Sequence, residues 1–122
     1  MPKSVHDSVL DGAFLVLDNA NIMTACNAEP TTRTQAVTTF ALADVAMTPT
    51  TDFTIANGDA SGRKVTMAAK SAVTVDTSGT ATHIALCDGT NLLYVTTCTS
   101  QALTAANTVN FPAWKVEIAD PT

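Results

Sequence analysis

Gly58-Asp59-Ala60-Ser61-Gly62 is the stretch in which a nucleophilic serine could sit. That chemistry also needs a base held against the hydroxyl and a pair of oxyanion donors. The only imidazoles are His6 and His83, and neither stands in a recognisable signature for it. The stretch therefore reads as a turn. Asp52, Asp59 and Asp76 could be paired carboxylates for glycoside hydrolysis, but each falls in a turn-like segment and reads as a solvated loop or edge residue. His83 is in phase with Ala85 and Cys87, which predicts a half-buried histidine bonded to backbone; the sharper alternative is a metal or pH-sensing site at an interface. Tyr94 and Trp114 could form a sugar-stacking pair, whereas Trp114 alone reads as the main core aromatic of the last strand. No EF-hand spacing, Walker sequence or Gly-x-Gly-x-x-Gly occurs. The reading assigns no catalytic, cofactor-binding or metal-ligating residue, and expects a protein that is not an enzyme and needs no cofactor.

Cys26, Cys87 and Cys98 are an odd count without Cys-x-x-Cys spacing, and two distant histidines do not complete a zinc set. Pairing about Gly89-Thr90 would put Cys87 opposite Leu92 and Cys98 opposite Ala81. That is too far apart for a disulfide, whose Cα atoms lie about 4.4–6.8 Å apart. Buried free thiols are expected, with bridging between subunits as the alternative.

These residues must be positioned by one domain, residues 1–122, sized for a two-layer core rather than a core plus a deep cleft. Charged residues are 14% of the chain, against roughly 25% in ordinary soluble domains. Threonine takes their place, which suits a surface packed against copies or partners. The net charge is −5, and the six basic residues are scattered from Lys3 to Lys115. That excludes a counterion-release footprint for nucleic acid and a polybasic membrane patch. The opening Met1-Pro2-Lys3-Ser4-Val5-His6 lacks the order of a secretory leader, and no apolar run is long enough to span a bilayer. Synthesis in the cytosol of the producing cell is expected.

The fold expected is mainly β, an antiparallel β-sandwich or small barrel with one N-terminal α-helix. Residues 4–19 carry the helix. Ser4 and Asp7 have capping-box spacing, and Val5, Val9, Leu10, Ala13, Phe14 and Leu17 form the apolar stripe. Strand-like runs then recur at roughly 8–12-residue spacing. They begin at Ile22, Phe40, Phe53 and Val65, with a continuation through Val73 and Val75 after a break. A helical turn is expected near Gln35. The densest part is 79–120. Residues 83–87 alternate, Asp88-Gly89-Thr90-Asn91 is turn chemistry in which Gly and Asn tolerate positive φ, and 92–98 is rich in β-branched residues. Val109, Phe111, Trp114, Val116 and Ile118 form a third apolar ladder, and its phase slips at Pro112, which predicts a bulge or an edge.

That last third carries a resemblance. Thr80 to Asp88 (TATHIALCD), then Asn91 to Val95 (NLLYV), then Gln101 to Thr104 (QALT), then Asn107 to Ala113 (NTVNFPA), is similar to a family of small structural proteins of tailed bacteriophages. Members share the pattern T-H-x-x-L-x-D … N-L-L-Y … L-T … G-x-T-V-x-F-P-A. The segments Met1-Pro2-Lys3-Ser4 and Ala41-Leu42-Ala43-Asp44-Val45 fit that setting too. The chain has Ala106-Asn107 where the pattern has its Gly, and Asn can take a left-handed turn. The motif is made of turn and core residues, so it specifies fold more than role, and it implies no catalytic residues. The resemblance implies a virion structural protein, foremost a capsid decoration or cement protein stabilising the head. It would be made in the host bacterial cytoplasm and partnered by the major capsid protein. Copies of itself are further expected partners, a trimer favoured, because a Thr-rich surface of low charge suits burial. A tail-side fibre, adaptor or receptor-contacting module is the alternative within the virion. A carbohydrate-binding β-sandwich using Tyr94 and Trp114 is the alternative outside it.

Overall fold

The computed structural model describes residues 5–119. In chain order the elements are α1 (Asp7–Leu17), β1 (Ile22–Cys26), a π-helical turn (Gln35–Thr39), β2 (Ala41–Ala46) and β3 (Phe53–Asn57). Then follow β4 (Arg63–Met67), β5 (Lys70–Thr74), β6 (Gly79–Cys87), β7 (Leu92–Leu103), β8 (Thr108–Phe111) and β9 (Trp114–Ile118). The fold is mainly β, with three antiparallel sheets and one short N-terminal helix.

The largest sheet has four strands in the order β2-β1-β6-β7. Its inner strands β1 and β6 carry no charged residue, which suits strands covered on both faces. Period-2 alternation sends Met23, Ala25 and Leu86 to one face and Cys26, Ala85 and Cys87 to the other. The first face meets a second layer made of β3-β4-β9, β5-β8 and α1. Phe14, Leu17, Leu42, Phe53, Val65, Met67, Val73, Val75 and Phe111 fill the space between. The other face is covered by the π-helical turn, where Ala36 is buried against Cys26, Ala85 and Cys87. The turn near Gln35 thus forms where the sequence places it. Two-layer packing of this kind is sandwich-like. A closed barrel, the other expectation, does not form: closure needs a continuous ladder, and among the described residues the isolated Ala43–Val75 bridge is all that joins the four-stranded sheet to a neighbouring sheet in this way.

Three local expectations are corrected. The helix starts at Asp7, not residue 4, and its N-cap is His6, whose Nδ1 accepts from the Ser8 N–H at 3.1 Å. Ser4 lies outside the described residues. The helix stops at Leu17 with Asp18 as C-cap, two residues short of Asn19. Its buried residues are Phe14 and Leu17, whereas Val9 is 66% exposed, so the apolar stripe is wider than the core it meets. In the 88–91 turn neither Gly89 nor Asn91 takes positive φ. The Asp88 carboxylate builds the turn instead, accepting from the Thr90 and Asn91 N–H groups at 2.7 and 2.6 Å.

The third apolar ladder proves to be two strands in two sheets. β8 pairs with β5, and β9 pairs with β4, with Val65 opposite Val116 and Met67 opposite Trp114. Pro112 and Ala113 are the crossing, and a residue without an N–H belongs where a ladder ends. Along β9 the expected alternation holds: Trp114, Val116 and Ile118 are half-buried against the core, while Lys115 and Glu117 are exposed.

Candidate functional site

The residues singled out for chemistry are dispersed. Ser61 lies in the turn between β3 and β4, where the Gly58 N–H donates to the Gly62 carbonyl at 2.9 Å. His6 caps α1. His83 is half-buried on β6, with Nδ1 2.8 Å from the Thr82 hydroxyl, so its partner is a side chain rather than the expected backbone group. Asp52 precedes β3. It accepts from the Thr48 N–H at 2.6 Å and from Lys70 Nζ at 2.9 Å, and these two bonds hold its carboxyl below the usual range. Asp59 follows β3 and pairs with Lys64 at 2.6 Å and with Lys115. At about 3.3 Å per strand residue, the two ends of β3 lie roughly 13 Å apart, and Asp52 and Asp59 lie beyond them. Glycosidase carboxylates are about 5–9.5 Å apart. Asp76 is exposed near Asp44, whose carboxyl is pushed up first by burial and then by that neighbour. No three His, Cys, Asp or Glu side chains gather as a metal set among the described residues.

All three cysteines are free, with Cys26 and Cys87 buried and Cys98 half-buried. Cys87 stands opposite Leu92, as the turn predicts. Cys98 is not opposite Ala81: that residue faces Gln101 and His83 faces Thr97, so residues 98–100 bulge out against Thr82 alone. Burial pushes each thiol up from its ordinary value, which keeps it protonated and a poor nucleophile. Cys98 borders an apolar cavity of about 230 Å³ that Ile84, Leu103, Val109 and Phe111 line, with Gln101 and Asn110 supplying polar groups.

Tyr94 and Trp114 do come together, with ring centroids 5.9 Å apart and planes tilted by 36°. Both are half-buried against the core, and the Trp114 indole N–H donates to Met23 Sδ at 3.4 Å. Met23 has no exposed surface, so the indole edge enters the space between the layers. Tyr94 lies on β7 and Trp114 on β9, so this pair joins two sheets.

Two surface features were not recognised from the sequence. From Gly89 to Trp114 there is no Asp, Glu, Lys, Arg or His, although residues 99–102 of β7 and the turn after it are exposed. An uninterrupted uncharged run was the available signal. The second feature is the outer side of α1, where Val9, Leu15 and Val16 are 66%, 57% and 58% exposed. Helical periodicity assigned Val9 and Ala13 to the core stripe, and their exposure depends on which elements cover the helix. Beside this face, Ala13, Phe14, Val16, Leu17, Leu93 and Tyr94 line a groove of about 170 Å³. An uncharged strand edge and an apolar helix face can bind another macromolecule.

Comparison with protein-family models, curated proteins and solved structures finds no match to the chain. No helix among the described residues is long and apolar enough to cross a membrane.

Proposed function

We propose that the chain is a bacteriophage virion structural protein, a decoration or cement protein of the capsid head. The observation that carries the reading is the motif resemblance in the last third of the sequence. Its segments fall on β6 and the Asp88 turn, on both ends of β7, and on β8 with Pro112. One detail sharpens it. The position at which the resembling pattern has Gly is Ala106, and Ala106 has φ +74, the left-handed conformation that favours glycine. Asn107, the residue the sequence reading credited with that turn, is not at positive φ.

A cement protein acts by burying surface across capsomer boundaries, which favours the assembled shell by mass action. It needs broad exposed surface of low charge, and the uncharged stretch 89–114 offers that. The partners in this reading are the major capsid protein and copies of the chain itself. The test is removal and add-back. Particles assembled without the chain should release their DNA at lower temperature or on osmotic shock, and added purified chain should restore resistance. Particles equally robust with and without the chain would contradict the reading.

A further inference from the structure

β7 is an outer strand of the four-stranded sheet, and no backbone bond from its free edge to another element occurs among the described residues. It is twelve residues long. Proteins ordinarily protect such an edge with lysine, proline, inward charge, a bulge or a covering segment. β7 (LLYVTTCTSQAL) has no charge and no proline. Its protection is two bulges, at Leu93 and at residues 98–100, which leave 94–97 as the regular stretch between them. The groove between α1 and β7 opens beside that stretch, at Leu93 and Tyr94. The exposed apolar side of α1 is next to the groove, since Ala13 and Val16 line it.

We propose that two copies of the chain associate by antiparallel pairing of β7 with β7 over residues 94–97, about a two-fold axis normal to the sheet. An edge of unpaired N–H and C=O groups selects an extended strand as its occupant, because only a strand returns bonds at the ladder spacing. Charge selects which strand. The chain carries −5, so copies repel wherever their carboxylates face one another. β7 is neutral along its whole length, and the acidic residues of α1 are turned elsewhere: Asp11 binds Arg63 at 2.8 Å and Asp7 lies 3.9 Å from the same guanidinium. An isologous contact also brings two identical edges together without a second kind of site. The operation joins two four-stranded sheets into one. It keeps both α1 helices on the same face, because Tyr94 and α1 share the side that faces the core. The groove of each copy then meets the other copy near its 98–100 bulge, so the orphan edge and the apolar helix face are covered together.

This pairing replaces the expected trimer with a dimer, and it does not depend on the virion reading. The experiment is sedimentation equilibrium of the purified full chain over a wide concentration range, under reducing conditions to exclude disulfides. The wild type should reach twice its 12.6 kDa mass. Thr97→Lys, at an exposed edge position, and Val16→Glu, on the exposed helix face, should each weaken the dimer at least tenfold with an unchanged circular dichroism spectrum. Thr54→Lys, on the edge strand of another sheet, should leave it unaltered. Amide exchange in residues 94–97 should be slow in the dimer and speed up on dilution. A monomer at every concentration, a trimer, or a dimer indifferent to Thr97→Lys would overturn the proposal. Should Val16→Glu fail to fold, Thr97→Lys and the amide-exchange measurement still decide it.

Discussion

Trp114 joins the two layers, and replacing it by alanine measures how much that junction contributes. Truncating a fully buried Phe or Trp costs about 3–5 kcal/mol. Trp114 is only half-buried, so about half of that, ~2 kcal/mol, is expected from lost burial and the space left behind. The tilted contact with Tyr94 adds about 0.5–1.5 kcal/mol. Loss of the indole N–H adds little, because the thioether it meets is a weak acceptor. Trp114→Ala should therefore destabilise by about 2–4 kcal/mol, a large part of the 5–15 kcal/mol typical of a domain. Lys115→Ala is the internal control. Its ammonium is exposed and shares Asp59 with Lys64, and such surface pairs are worth about 0–1 kcal/mol. Urea unfolding followed by far-ultraviolet circular dichroism measures both, since Trp114 is the sole tryptophan and its fluorescence is lost with it. Equal effects of the two substitutions would refute the assignment of Trp114 to the interlayer junction. A Trp114→Ala protein that keeps its stability while losing binding on a glycan array would restore the sugar-stacking reading.

Four further outcomes follow from single residues. Gly62→Ala should cost at least about 2 kcal/mol in urea unfolding, because its φ is +71 and a Cβ there would lie 1.9 Å from the Ile118 carbonyl oxygen. Ala106→Gly should raise the unfolding free energy measured in urea by about 0.5–1 kcal/mol, by relieving the left-handed alanine at φ +74. Asp52→Asn should lower the melting temperature at neutral pH and have progressively less effect in acid. The folded carboxyl is held low, so its contribution is full above about pH 4, the unfolded value. It is lost as pH falls through the folded value, and a pH series of melts on both proteins checks this. Asp18→Asn should raise the melting temperature at neutral pH, because burial pushes that carboxyl up and it sits at the negative end of α1; the gain should shrink on acidification as Asp18 takes up a proton.

What could be read from the sequence was set by local chemistry. The alternation of Trp114, Val116 and Ile118 survives in β9 because one face of that strand meets the core and the other meets water. The place of Cys87 opposite Leu92 follows from a short turn, which fixes register for the first pair beyond it. Register farther along β7 was lost because bulges at Leu93 and at Cys98, Thr99 and Ser100 insert residues with no sequence mark, with neither Gly nor Pro among them. Pro112 announced a break, but that it separates two sheets depends on β4 and β5 taking different partners far back in the chain. For α1, the 3.6-residue pattern could not tell covered from bare apolar residues, since Val9 and Leu17 look alike until the layers are assembled. The candidate surface was hidden for the opposite reason. Catalytic motifs announce themselves by residue type, whereas residues 89–114 are notable for the charges they lack.

The most direct test of the virion assignment is the amount of the chain in purified particles. Nuclease-treated particles of a phage encoding it would be separated into heads and tails, and each fraction quantified by mass spectrometry against the major capsid protein. The account predicts the chain in the head fraction, in a ratio to the capsid protein close to a simple lattice stoichiometry. Detection in infected-cell lysate but not in particles, or in the tail fraction alone, would contradict it.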